Sequence, residues 1–397
     1  MLRLAHRAWR LLPEQARRAA MTRVSSALAA APGAAPARSD GVIIAGDING
    51  QNGIAATGRM FGSALAARGL LRGTMPLGLP SVAPEFNGTL PPQAAILSVV
   101  NAPFLPVGLA RLRPRNLLQG RRMIGVWVWE LSKVPDEWKI GAKFVHEIWA
   151  PTRFTADAFE AIAPGRVRRV PYPLLTEFPF TATGDRASFG LPADCCVFLT
   201  VFNLSSSCAR KNPQGAIAAF KAAFGMSRDV LLVLKLTGHM QYPEDFAAIR
   251  EAAGNAGNIR IITELLSDSD LHGLIKASDV VVSLHRSEGF GLIPATAALH
   301  GVPVVATGYS GNLDFMAAES SALVQYRLVP ARDGHGVYTE PGTEWAEPDI
   351  EDASAWLRRL FSDAELRARL GKAGQSHAIQ SLRGDALDQA LAESGIA

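Results

Sequence analysis

Cysteine is nearly missing from this chain of 397 residues: there are three, Cys195, Cys196 and Cys208, and none stands at a metal-ligand spacing. So few thiols exclude a disulfide-built domain, and reduced cysteines in a cytoplasmic protein are the simple expectation. A long run of lysine and arginine is also missing, and the net charge is only +4. Nucleic acid is therefore a poor partner, because a binder would show a basic stripe interleaved with aromatics. No apolar run reaches the roughly 18 residues that would span a bilayer. Neither a GxGxxG fingerprint nor a GK[ST] loop is present, which removes two common nucleotide-binding signatures.

What is present is length and apolar content. At 397 residues, 48% of them hydrophobic, the chain is too long for one ordinary core and can fill two. Its first forty residues differ from the rest. Arg3, Arg7, Arg10, Arg17, Arg18 and Arg23 are interleaved with Leu, Ala and Trp9, and the ALAAAPGAAPARSD that follows reads as a linker. Such an arm lies as an amphipathic helix on an anionic membrane surface, at the inner face, packs as a helix on the main body, or stays a poorly ordered basic arm.

From residue 41 strand and helix signals alternate. GVIIAG (41–46), AAILSVV (94–100), MIGVWVWE (123–130) and HEIWAP (146–151) are short apolar runs separated by helical patterns. The texture turns to proline and glycine over 170–192, and the rhythm restarts with CVFLTVFN (196–203), DVLLVLKLTG (229–238), NIRIITE (258–264) and DVVVSLH (279–285). Residues 330–350 read as irregular, and two helical patterns follow. The expected class is α/β, with two Rossmann-like domains, 41–180 and 181–380, whose parallel sheets aim their strand-end loops into an interdomain cleft. A tail over 381–397 is a candidate to pack back on the first domain.

Three stretches can carry chemistry. In GVIIAGDINGQNG the turn from Gly46 to Gly53 opens a helix, where backbone N–H groups can approach an anion, although glycine turns also serve packing alone. In FNLSSSCARKNPQG, Asn203 closes a strand, and Arg210 and Lys211 stand before a helix. Two cations at a helix N-terminus oppose the helix dipole, so a local anion such as a diphosphate would explain them. In SLHRSEGFGL, His285 and Glu288 emerge at a strand end, and Gly289, Phe290, Gly291 and Leu292 lead into the next helix. A carboxylate there can hold sugar hydroxyls, or merely cap the helix.

Two further features are weighed the other way. Asp268-Ser-Asp270 spells a DxD, but it sits before a helix where aspartates cap N–H groups, so no metal is expected. His146 and His300 read as packing residues, and Trp127 and Trp129 as core on one strand face with Glu130 at its end. Asn312 and Asp314 lie in a strand-end loop and either touch base or ribose or shape the turn.

The chain resembles the GT-B-fold retaining glycosyltransferases of group 1, or family 4, in a bacterial form. The residues that carry the resemblance are EGFGL (288–292), HGVPVVATGYSGNLDFM (300–316), RKNP (210–213) and WAEPDIEDASAWLRRL (345–360), with GVWVWELSKVPDEW (125–138) and HEIWAPTRFTADAF (146–159) in the first half. It implies a nucleoside-diphosphate sugar as donor, a glycan or lipid-linked acceptor, and transfer with retention and without a cofactor or metal. Lys211 and Arg210 match the cations that neutralise the leaving diphosphate, Gly53 the glycine that approaches it, and Glu288 the first acid of a Glu-x7-Glu pattern. Asn203, Gly289, Phe290, Gly291, Leu292, Thr296 and Asn312 fall on the donor side. Replacing Lys211 or Glu288 by Ala is expected to abolish transfer and leave the fold intact.

Two positions depart from the pattern. The second acid, which holds the ribose, is Thr296, and a threonine cannot offer two charged oxygens. The usual arginine about five residues before the lysine is replaced by the run Ser205 to Ser207. A non-catalytic sugar-nucleotide binder and a nucleotide-sugar epimerase therefore stand as rival readings.

Overall fold

The computed structural model describes residues 14–50, 52–79, 86, 88–338 and 340–397, and the chain divides into two compact units, 1–176 with 384–397, and 177–383. Arg3, Arg7 and Arg10 of the basic arm lie outside the described residues. The part of the arm that is described forms helix α1 (Glu14–Leu28), which packs on the first unit, with Thr22 Oγ1 donating to Pro103 O at 3.3 Å.

The first unit is built on strands β1 (Val42–Ala45), β2 (Leu71–Met75), β3 (Ala95–Ser98), β4 (Met123–Val126), β5 (Glu147–Ala150) and β6 (Val167–Arg169). They form one parallel sheet in the order β2-β1-β3-β4-β5-β6. β1, β3, β4 and β5 are buried at every position, as expected of apolar strands with both faces of a parallel sheet covered. Helices α2 (Gly53–Ala67), α3 (Leu105–Ala110), α4 (Trp138–Gly141) and α5 (Arg153–Glu160) fall between them.

The second unit carries β7 (Cys196–Asn203), α6 (Cys208–Lys211), α7 (Pro213–Phe224), β8 (Val230–Thr237), α8 (Pro243–Ala253), β9 (Ile259–Ile262) and α9 (Asp268–Ala277). Then come β10 (Val280–Ser283), α10 (Leu292–Leu299), β11 (Val304–Thr307), β12 (Ala322–Val324), β13 (Tyr326–Pro330), β14 (Glu344–Pro348), α11 (Ile350–Ser362) and α12 (Ala364–Ser381). Its sheet, also parallel, runs β12-β11-β10-β7-β8-β9, so strand order reverses between β7 and β10. One core fills a face of it, with Phe198, Phe202, Leu232, Leu234 and Leu236 packed on Phe220, Leu357 and Leu360. Each unit is thus a doubly wound sheet, and the pair is the GT-B architecture.

Helix α13 (Asp385–Glu393) belongs to the first unit. Arg68 grips Asp388 through two bonds of 2.6 and 3.2 Å, Arg168 pairs with Glu393, and Ser39 N donates to Gly395 O at 2.8 Å.

Three expectations change. Residues 330–350 are not irregular throughout: β13 and β14 pair antiparallel, Tyr326 opposite Pro348 and Pro330 opposite Glu344. β4 ends at Val126, so Trp127 and Trp129 lie beyond it rather than along one strand face. Both are buried, Trp127 donating its indole N–H to Val100 O at 2.9 Å, and they pack with Trp138 in an aromatic cluster. The aspartates of the DSD motif do not cap α9. Ser267 is the cap, its Oγ accepting from Asp270 N at 3.1 Å, and the Asp270 carboxylate accepts from Thr183 and Ser267 at 2.5 and 2.7 Å.

His300 Nε2 and His272 Nδ1 lie 2.9 Å apart, with the Phe180 ring stacked on His272. One imidazole must donate to the other, so both cannot be charged. Burial, then His272 and Lys276, lower His300 to about 4, and burial lowers His272 against the opposite pull of Asp268 and Glu177. A histidine depressed in the folded state contributes stability above its unfolded value and loses it as pH falls. The unfolding midpoint is therefore expected to drop by several degrees between about pH 6.5 and about pH 4, and to drop less in His300→Gln. Calorimetry across that range checks it; equal slopes in both proteins would refute it.

Candidate active site

The reversal point between β7 and β10 is where an open α/β sheet leaves room for a ligand beyond its strand ends. The loops leaving those two strands deliver Arg210 and Lys211 from one side and Glu288 from the other. Lys211 Nζ contacts Glu288 Oε1, and Arg210 Nη1 lies 3.2 Å from Glu288 Oε2 and 2.8 Å from Ser287 O. All three are withdrawn from water: the Arg210 and Glu288 side chains are 3% and 9% exposed, that of Lys211 20%. Burial works to raise the Glu288 carboxyl, but Lys211 and Arg210 outweigh it and hold the group at about 2.

The cations do not stand at the N-terminus of α7. They form the last turn of α6, a separate short helix, where positive charge is favourable. Asn212, with left-handed φ of 51°, ends α6 and caps α7 through its Oδ1, while its Nδ2 donates to Leu284 O at 2.9 Å. The anion that explains the two cations in this structure is Glu288 itself.

Backbone contacts lock the two loops. Arg286 N donates to Arg210 O at 2.7 Å, Glu288 N to Ser310 Oγ at 2.8 Å, and Gly311 N to Glu288 O at 2.9 Å. A Cβ on Gly311 would come within 2.3 Å of Gly289 O, so only glycine permits the β10 and β11 loops to press backbone to backbone. Gly291, at φ of 96°, opens α10, and Phe290 is buried against Phe315 with centroids 5.1 Å apart. Arg286 forks onto Glu347 at 2.6 and 3.0 Å and holds β14 to this turn.

His285 is wholly buried. Asn312 Nδ2 donates to Thr307 O at 3.1 Å, so its Oδ1, 3.1 Å from His285 Nε2, must accept. That fixes the Nε2–H tautomer and leaves Nδ1 to accept from Ser283 Oγ at 3.0 Å. Burial depresses its pKa, so the imidazole is neutral. Asn312 is fully buried, and both ends of its amide are engaged within the turn.

The remaining sequence candidates fall as follows. Thr296 lies in the second turn of α10 and is 8% exposed. Asn203 ends β7 and accepts from Ser205 N at 2.9 Å, capping the turn behind it. Gly53 begins α2 in the first unit, where Asn52 is the cap and Arg59 ties the preceding turn by donating to Ile48 O and Gly50 O. His146 is structural, accepting from Met123 N at 2.8 Å. Sequence reasoning missed Ser207, Ser310 and the Arg286–Glu347 fork, because a hydroxyl or ion pair that braces a loop leaves no spacing signal.

Residues 206–382 match the family described as family 4 glycosyltransferase in conflict systems. D-inositol 3-phosphate glycosyltransferases are similar in sequence: that of Arthrobacter sp. (strain FB24) is 27% identical over 49% of this chain, and that of Corynebacterium glutamicum (strain R) 28% over 49%. The chain spans 41% and 42% of the length of those relatives. Among solved structures, Anabaena HepE in complex with UDP and glucose superposes with a TM-score of 0.62 at 14% identity, over 89% of this chain and 98% of that one. WaaG, a glycosyltransferase involved in lipopolysaccharide biosynthesis, gives 0.58 at 17%, over 88% and 99%.

Proposed function

For a GT-B chain of the family 4, group 1 glycosyltransferase type, we propose transfer of a sugar from a nucleoside-diphosphate sugar to a glycan or lipid-linked acceptor, with retention and without a metal. The observation that carries this is the buried Arg210–Lys211–Glu288 cluster at the strand-order reversal. As the donor enters, its diphosphate takes up the cations and Glu288 turns an oxygen to the sugar hydroxyls. In the transfer step the bond from the anomeric carbon to the diphosphate oxygen breaks and one to the acceptor oxygen forms on the same face. The acceptor proton passes to the departing diphosphate. Negative charge thus grows where Lys211 and Arg210 stand, and the electron-poor sugar develops beside the Glu288 carboxylate. That HepE binds UDP supports a uridine donor, and the charge-neutralising cations support activity that survives chelation.

The test is a thermal-shift series with UDP, GDP, ADP and pyrophosphate, followed by transfer assays with and without EDTA; bound nucleoside diphosphate raises the midpoint by mass action. No midpoint change with any of them would remove the proposal. Thr296 keeps one rival alive, a non-catalytic sugar-nucleotide binder, which would bind donor and neither transfer nor hydrolyse it. Thr296→Glu is expected to tighten UDP on the order of tenfold, the scale of one charge-assisted hydrogen bond, and leave pyrophosphate unchanged. Calorimetric titration of both ligands reads this, and an equal change in the two would show that position 296 does not face the ribose.

A further inference from the structure

Residues 331–338, between β13 and β14, form a strap on the second unit that the donor site does not otherwise account for. Asp333 Oδ1 accepts from Ser207 Oγ at 2.6 Å, and its Oδ2 accepts from Val337 N at 2.8 Å. His335 Nε2 lies 2.8 Å from Asp245 Oδ2, with its ring stacked on Tyr242. Tyr338 is buried, its ring centre 5.7 Å from the Arg210 guanidinium.

Ser207 is where the strap meets the cations. It is 2% exposed and held at φ of 66°, a region that costs a non-glycine residue energy and persists only where surroundings enforce it. Its hydroxyl has one proton. That proton is donated in a hydrogen bond to Asp333, acceptor-only as a carboxylate, so the Ser207 lone pairs face the backbone N–H of Arg210 at 3.2 Å. The polarity of the chain from Arg210 through Ser207 to Asp333 is thereby set, and with it the cap of α6, whose last turn is Arg210 and Lys211.

We propose that Asp333 is a positioning residue for the Arg210–Lys211 pair, acting through Ser207 and fixing where the two cations meet the donor diphosphate. This rests on the glycosyltransferase reading above. It gives the serine run 205–207 a use of its own: the last serine passes the hold of the strap to α6.

The experiment compares wild type, Asp333→Ala, Asp333→Asn and Ser207→Ala by calorimetric titration of inorganic pyrophosphate, unfolding midpoint, and amide exchange over 208–212. Asp333→Ala and Ser207→Ala are expected to weaken pyrophosphate by about tenfold and speed exchange of the Arg210 amide, while Asp333→Asn, which still accepts from Ser207, stays within about threefold. Wild-type pyrophosphate affinity in Asp333→Ala, with only a lower midpoint, would overturn the proposal and leave a structural brace. Should wild type bind neither pyrophosphate nor a nucleoside diphosphate, the donor reading fails by itself. The exchange data then decide the positioning claim, and unchanged Arg210 protection in Asp333→Ala overturns it.

Discussion

Glu288→Gln is expected to unfold about 10 °C below the wild type in the absence of ligand, yet to bind pyrophosphate more tightly. Breaking a buried ion pair costs about 3–5 kcal/mol, and in a domain of this size each kcal/mol moves the midpoint by about 2–4 °C. Here the amide would leave Arg210 and Lys211 in a site where their side chains are only 3% and 20% exposed. The same loss removes the anion that a diphosphate must displace, so the vacated cations should gain affinity on the order of tenfold and the midpoint should recover with added pyrophosphate. Transfer should be lost throughout. This differs from the sequence-based expectation that position 288 can be changed with the fold intact, because the sequence does not reveal that the carboxylate sits between both cations. A scanning measurement with and without pyrophosphate decides it, and weaker binding in the variant would mean that Glu288 does not compete with the ligand.

Lys211→Met should cost activity rather than stability. Its ammonium is the more exposed of the two cations, and Glu288 keeps Arg210, so the midpoint should move by only a few degrees. Transfer should fall by about 10²–10³, the usual cost of removing one group that meets growing negative charge. Acid sensitivity reports the same contact. Glu288 is held at about 2, below its ordinary 4.5, so its stabilisation is present above about pH 4.5 and is lost as pH falls toward 2. In Lys211→Met, where Glu288 is less depressed, that loss should be smaller and should end at higher pH, and in Lys211→Met combined with Glu288→Gln the destabilisation should be less than the sum of the two. A midpoint series from pH 6 to pH 2 on the three variants measures both effects; strict additivity would deny the pair.

The interior strands were legible because a strand buried on both faces is a short apolar run bounded by turn residues, as in VIIA, AILS and VVVS. β2 and β6 escaped notice for the converse reason. They are the outer strands of the first sheet, and their sequences, LRGTM and VRR, are half-exposed and carry arginine. The β13–β14 hairpin hid because β13 is largely exposed and the connection to β14 is rich in glycine. At the site, charge on a strand-end loop was enough to single out Arg210, Lys211 and Glu288. Their mutual contact was not readable, since 77 residues separate Lys211 from Glu288 and only the reversal of strand order brings them together. The burial of Asn312 was not readable either, because it depends on the β10 and β11 loops pressing together at Gly311.

The return of α13 to the first unit has a consequence for synthesis. On the ribosome β1 through β6 emerge before the second unit, but Asp388, Glu393 and Gly395, which bind Arg68, Arg168 and Ser39, are translated only after the whole of it. The nascent first unit must wait with its Ser39 edge unpaired while 177–383 emerge and can fold, so the domain begun first is the one finished last. Premature termination between 383 and 388 would release a chain whose second unit is whole and whose first lacks those contacts, a form that chaperones and proteases would meet before any substrate does.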